Sequence, residues 1–254
     1  CLFALDDDGV CDARMKTLAA YLELTKPRLT ALAVLATGVG YVVGGRGSVE
    51  WERLCVTLLG AALVGGGGNA LNQWAERRQD ALMERTKRRP LPAGRLRPSR
   101  ALLFGGAVSL AGVGILWWMA HPLAGWLGWV TLVTYVAIYT PLKRVTSLCT
   151  LVGAIPGAMP PLIGWAAARG ALSLEAWVLF AMLFLWQLPH FLAIAWVHRD
   201  DYARAGFRML PVVDPEGTST ARHMVLYGLA LLPVSLLPTL VGFAGALYFV
   251  GAVV

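Results

Sequence analysis

The sequence predicts an all-α, polytopic transmembrane helical bundle, and three observations predict it. Hydrophobic residues fill 57% of the 254 positions, with a mean hydropathy of +0.61. They gather in runs about as long as a helix needs to cross roughly 30 Å of hydrocarbon. Lys and Arg avoid those runs and crowd into alternate connecting segments. Only Arg46, Arg53 and Arg169 fall on the other side, the asymmetry of a membrane protein whose basic loops stay in the cytoplasm.

In order along the chain, residues 1–28 form a polar N-terminal segment. Residues 29–254 form a single transmembrane domain of seven complete spans and the start of an eighth. Leu24-Thr25-Lys26-Pro27-Arg28 reads as a helix start with Pro in the first turn. The first span covers 29–45 and the second 54–75, followed by a large basic loop over 76–100. The third covers 101–120, ended by His121-Pro122, and the fourth 123–140, ended by Tyr139-Thr-Pro141-Leu-Lys143-Arg144. The fifth, sixth and seventh cover 148–168, 172–197 and 223–240, and residues 242–254 open the eighth. The chain starts at Cys1 and stops at Val254 inside an apolar run, so both ends read as cut. Asp6-Asp7-Asp8 stands where a secretory leader would be basic, and reads as a solvated tail, since it lacks the downstream Glu of a calcium loop.

A net charge of +7 raises nucleic acid as a partner. The cations lie between apolar spans and not along one soluble face, which excludes it and leaves the lipid bilayer. The four cysteines, Cys1, Cys11, Cys55 and Cys149, form no C-x-x-C pair, so neither a disulfide framework nor a zinc site is expected. Gly65 to Gly68 and the Gly40/Gly44 pair predict close helix–helix approach. Pro156, Pro160 and Pro161 are expected to kink the fifth span and Pro189 the sixth.

Asn72, Glu76 and Asp80 are spaced i, i+4, i+8. On a helix they stack on one face, about 6 Å apart along the axis. The plain interpretation is a helix leaving the membrane and solvating its charges. Against it stand the position at the membrane edge and the tail Arg85-Thr86-Lys-Arg-Arg89-Pro90-Leu91 that follows at once. Oxygen ligands facing arginines are what a Mg²⁺-diphosphate group needs. A second polar constellation, His198-Arg199-Asp200-Asp201-Tyr202 through Arg204 and Arg208, follows the sixth span on the same predicted side. A solvated loop of weak ion pairs is its plain interpretation; beside the first motif it completes a second metal site. Cations absorbing charge on a departing diphosphate, with aromatic rings beside an allylic cation, would make such a site a catalyst. His190 beside Pro189 is the candidate for a porphyrin contact, because ionisable residues inside membranes lean functional. His121, His198 and His223 read as solvated.

The segment from Asn72 through Glu76, Asp80, Met83, Arg85, Thr86 and Arg89 to Leu91 resembles the first signature of the UbiA-type intramembrane prenyltransferases. Tyr139 to Arg144, Gly157 to Trp165, Trp186-x-x-Pro189-His190-Phe191 and Asp201 to Pro211 resemble the branch of that family that farnesylates haem. The resemblance implies a nine-helix bundle, C-terminally truncated in this chain, with a cytoplasmic active site. It implies Mg²⁺-dependent transfer of a farnesyl group from farnesyl diphosphate to the 2-vinyl group of haem b (protoheme IX), giving haem O. By motif position Asn72, Glu76, Asp80 and Asp201 would hold the metal, with Tyr202 in the catalytic set. Arg85, Arg89, Lys143, Lys26, Arg28 and His190 would bind substrate. The second motif departs from the paired-Asp pattern of the wider family, and Glu76 stands where many bacterial members carry Asp. Haem A synthase is the implied partner, and a bacterial inner membrane, ahead of the mitochondrial one, the implied location. A related enzyme acting on a quinone precursor or chlorophyllide, and a non-catalytic transporter or assembly factor, are the competing readings. Transporters need midplane charges or repeated halves, and neither is visible.

Overall fold

The computed structural model describes residues 7–253, and among them every regular element is a helix. Cys1 and Asp6, and the side chains of Asp7, Asp8 and Cys11, lie outside the described residues. The helices are α1 (Asp7–Leu24), α2 (Pro27–Gly44), α3 (Trp51–Asp80), α4 (Pro98–Ala120), α5 (Pro122–Leu142), α6 (Cys149–Arg169) and α7 (Leu174–Val197). Two short helices, α8 (Arg199–Arg204) and α9 (Leu210–Val213), lead into α10 (Thr218–Leu240) and α11 (Ala246–Val253). α2 to α7 and α10 are long and apolar enough to cross a membrane, in the order the apolar runs predict.

Backbone groups in hydrocarbon must be satisfied within the segment, which is why apolar run length translates directly into helix. α6 shows how far this goes: it stays helical through Pro156, Pro160 and Pro161, and α7 does so through Pro189. α6 is also the most enclosed span, with 72% of its apolar window buried. Leu162, Ile163 and Trp165 pack there with Tyr41, Leu116 and Leu127. α10 is the opposite case at 6%; Leu226, Leu229, Leu232 and Leu240 face outward, which costs nothing against lipid tails.

Close approach is set where glycines meet a neighbouring backbone. A Cβ on Gly164 would fall onto the Thr37 carbonyl oxygen of α2, and one on Gly40 onto the Pro161 carbonyl oxygen of α6. Across α3 and α4, Gly67 leaves room for Ser109 and the Gly105 carbonyl. The Gly40/Gly44 expectation holds against Pro161 and Trp165, while within Gly65 to Gly68 only Gly66 and Gly67 are tightly covered.

The structure adds elements that periodicity missed. The polar N-terminal segment is largely a helix, with Ala20 and Leu24 buried against Ala70, Leu91, Leu96 and Ala101. α3 runs on to Asp80, past the predicted end at 75, because its last polar turns are buried and partnered. α4 ends in a widened π-helical turn at Leu116–Ala120, and α5 carries one at Thr134–Tyr139, just before its last three residues; such turns redirect the side chains that follow them. The basic loop is pinned from beneath by buried Met83, Leu91 and Leu96.

Candidate active site

The last turns of α3 carry a buried polar stripe of Asn69, Asn72, Gln73, Glu76 and Asp80, none more than 5% exposed. Their spacing keeps all five on one face. A polar group left unpaired in hydrocarbon costs several kcal/mol, so the partners decide what this stripe is. They arrive from three separate stretches of chain, 24–30, 86–89 and 135–143.

Asn69 Nδ2 donates to Thr30 Oγ1 at 3.2 Å and to the Thr25 carbonyl at 3.3 Å, and the Tyr135 hydroxyl donates to Asn69 Oδ1 at 3.2 Å. Gln73 Nε2 donates to the Leu24 carbonyl at 2.9 Å. Asn72 Nδ2 donates to Thr140 Oγ1 at 3.0 Å, and Lys26 Nζ donates to Asn72 Oδ1 at 3.5 Å. Lys143 Nζ lies 2.7 Å from Glu76 Oε1. One guanidinium nitrogen of Arg89 donates to both Asp80 oxygens at 2.9 Å. Thr86 Oγ1 donates to the Asp80 carbonyl at 2.8 Å, folding the loop back over the helix end. Each rung of the ladder thus faces one cation: Asn72 with Lys26, Glu76 with Lys143, Asp80 with Arg89.

These cations crowd one another. Burial first, then the charges of Arg89 and Lys143, pull the pKa of Lys26 down to about 7. For Lys143 burial works against the ammonium, but Tyr139 and Glu76 outweigh it and hold the group above the ordinary lysine range. Its ammonium also sits 4.5 Å above the Tyr139 ring and 5.7 Å from Phe207. With all three protonated, three cations oppose two carboxylates. The surplus is positive, and that suits an anion.

The structure brings together Asn72, Glu76, Asp80, Lys26, Arg89 and Lys143. The partners of Asp201 lie elsewhere, in the loop after α3 and in α8. The Asp201 carboxylate accepts instead from the backbone N–H groups of Glu84 (3.2 Å) and Arg85 (3.4 Å) and pairs with Arg204. Burial would raise its pKa, yet the Glu84 N–H and Arg204 hold it below the usual range. Arg85 is exposed and donates to the Tyr202 hydroxyl at 3.3 Å. Arg28 is exposed. His190 is exposed too, stacked on Trp186 at 5.2 Å. His121, expected to be solvated, caps α5 by accepting from Leu123 N at 3.1 Å. His223 Nδ1 lies 2.7 Å from the Ser219 carbonyl.

Residues 33–254 match the UbiA prenyltransferase family. The chain belongs to that family. It is 54% identical over 241 residues to a protoheme IX farnesyltransferase of Solibacter usitatus, covering 91% of this chain and 82% of the relative. Identity is 47% to the protoheme IX farnesyltransferase of Koribacter versatilis, over 93% of this chain and 77% of that one. The backbone resembles an apo UbiA homologue from Aeropyrum pernix K1, with a TM-score of 0.74, 21% identity and coverage of 89% and 84%. It also resembles a UbiA homologue from Archaeoglobus fulgidus bound to DMAPP and Mg²⁺, with a TM-score of 0.72, 16% identity and coverage of 91% and 81%. These two likenesses carry the fold.

Within this UbiA fold, sequence reasoning passed over Asn69, Gln73, Tyr135 and Thr140. Asn69 and Gln73 were detectable: they continue the polar stripe at i−3 and i+1 from Asn72, inside an otherwise apolar span. Tyr135 and Thr140 carried no such signal, since the π-helical turn at Thr134–Tyr139 rotates them toward α3. There Thr140 Oγ1 donates to the Tyr135 carbonyl at 2.8 Å while receiving Asn72.

The ladder fits a hard divalent cation by its donors, which are oxygens only. Glu76 Oε1 also keeps acceptor capacity, because it meets Lys143 off the line of a hydrogen bond and has no other partner. With two carboxylates and one amide, the ladder falls short of a closed protein cage. Mg²⁺ prefers that situation, filling its shell with water and substrate phosphate.

Proposed function

We propose that this chain transfers the farnesyl group of farnesyl diphosphate to a vinyl group of haem b, giving haem O and diphosphate. The observation that carries the choice of substrates is the 54% identity to a protoheme IX farnesyltransferase across 91% of the chain. The geometry supports the chemistry: buried oxygens on α3 face three cations at one end of a helical bundle.

In this reading Lys26, Lys143 and Arg89 hold the diphosphate, and Asn72, Glu76 and Asp80 would hold Mg²⁺ against it. The chemistry Mg²⁺ supplies when bound is neutralisation of charge on the leaving diphosphate; a structural neighbour was solved with DMAPP and Mg²⁺. Glu76 and Asp80 keep the lysine and arginine side chains ordered before substrate arrives, so little reorganisation remains for the reaction itself. As the C1–O bond of the farnesyl group breaks, its electron pair leaves with diphosphate. Tyr135 and Tyr139, stacked at 5.9 Å beside the ladder, are the aromatic groups placed to stabilise the allylic cation. The vinyl π pair then forms the new carbon–carbon bond, and water quenches the remaining electron-poor carbon with loss of a proton. His190 and Trp186 offer a flat stacked surface on α7 for the porphyrin.

The charge asymmetry supports a bacterial inner membrane with the site on the cytoplasmic side, and haem A synthase is the proposed consumer of the product. Membranes carrying the protein, given farnesyl diphosphate, Mg²⁺ and either haem or a hydroxybenzoate, test the proposal. A haem O peak by chromatography is expected; prenylated hydroxybenzoate without haem O would move the chain to the quinone branch.

A further inference from the structure

One short segment, Asp201 to Arg208, touches both cationic edges of the site. At its start the two Asp201 oxygens each accept a backbone N–H of the loop after α3, from Glu84 at 3.2 Å and Arg85 at 3.4 Å. The neighbouring Tyr202 hydroxyl accepts from the Arg85 guanidinium at 3.3 Å. At its end Arg208 N donates to the Lys143 carbonyl at 2.7 Å, and the Phe207 ring lies 5.7 Å from Lys143 Nζ. Between these ends Ala205 and Phe207, with Met209 just beyond, are buried with Met83 and Cys149. Gly206, at φ +74°, makes the turn between them. The segment therefore fixes how far the Arg89 loop stands from the helix end that carries Lys143.

We infer that Asp201 is a positioning residue, a latch that holds the Glu84–Arg89 turn at the right distance from Lys143 for a diphosphate, and not a Mg²⁺ ligand. The inference rests on the prenyl-transfer reading. Two successive N–H groups and the Arg204 guanidinium take three of the roughly four lone-pair sites of this carboxylate, so the loop it holds sets its orientation and a metal would find at most one site left. The ladder is less committed: Glu76 Oε1 has no hydrogen-bond partner, and the two Asp80 oxygens share a single Arg89 nitrogen.

The test uses the full chain in lipid nanodiscs as wild type, Asp201→Asn and Asp201→Ala. Asp201→Ala is expected to raise the KM for farnesyl diphosphate about tenfold, and Asp201→Asn, which keeps one acceptor oxygen, about threefold. Half-saturation by Mg²⁺ should stay within about twofold of wild type in both, because the metal ligands are untouched. Hydrogen exchange at the Glu84 and Arg85 amides should be slow in wild type, with or without Mg²⁺ alone, and fast in Asp201→Ala. A tenfold or greater rise in the Mg²⁺ requirement of both variants overturns the latch, as does loss of amide protection when Mg²⁺ is added to wild type. A lowered Tm with unchanged KM also overturns it, leaving Asp201 a stabilising residue only. Should wild type make no haem O, the enzymatic reading falls on its own, and the exchange experiment still decides whether the carboxylate binds backbone or metal.

Discussion

Lys143 Nζ and Glu76 Oε1 stand 2.7 Å apart, their side chains only 11% and 5% exposed. Neither charge is affordable alone at that depth, because removing one partner of a buried pair leaves the other uncompensated. Lys143→Met should destabilise the protein by about 3 kcal/mol, read as a fall in Tm in detergent. The double variant Lys143→Met/Glu76→Gln should recover most of that stability while remaining inactive. Recovery of turnover in the double variant would remove the pair from the chemistry.

Asp80 is fully buried, and its carboxylate takes both its hydrogen bonds from Arg89. Asp80→Asn keeps the shape but loses the charge, and turnover should fall about a hundredfold while membrane insertion stays normal. Wild-type turnover in that variant would favour a non-enzymatic bundle.

The depressed pKa of Lys26, about 7, gives a pH dependence of defined sign. Unfolded, the amine holds its proton to near the ordinary lysine value of 10.5; folded, it releases it above about 7. Across that window the unfolded state binds the extra proton, so this group's contribution to stability rises with pH. Substrate works the other way. Diphosphate draws the proton back, so its binding above pH 7 takes up a proton, and KM should climb toward about tenfold per pH unit. Arg stays charged, so Lys26→Arg should flatten this rise. A KM–pH slope equal in both proteins would show that Lys26 does not meet the diphosphate.

His190 is exposed and stacked on Trp186, so His190→Ala should leave Tm unchanged. If the pair receives the porphyrin, the KM for haem rises about tenfold and the KM for farnesyl diphosphate does not. An unaltered haem KM removes α7 from the porphyrin site.

Gly164 and Gly106 separate packing from propensity. A methyl on Gly164 would collide with the Thr37 carbonyl oxygen, whereas one on Gly106 would meet nothing within 4 Å. Gly164→Ala should cost about 2 kcal/mol through backbone displacement, and Gly106→Ala should be neutral or slightly stabilising. Equal Tm values for the two would mean that α2 and α6 are not held as closely as described.

Much of the architecture was legible because its causes are local. A bilayer leaves a backbone no partner but itself, so an apolar run long enough to cross it is a helix, prolines included. A four-residue spacing puts Asn72, Glu76 and Asp80 on one face whatever surrounds them. The N-terminal helix escaped notice because it is polar and owes its place to Ala20 and Leu24 packing under a loop some seventy residues further on.

The sequence by itself determined the helical membrane bundle, its charge asymmetry and the oxygen ladder with its neighbouring cations. Only the tertiary structure decided which cation faces which oxygen, that the π-helical turn of α5 turns Tyr135 and Thr140 toward α3, and that Asp201 reaches across 117 residues to the Glu84 backbone. Such pairings depend on how helices dock. Docking is fixed by steric fit at places such as Gly40 against Pro161, and the period of a single helix carries no record of it.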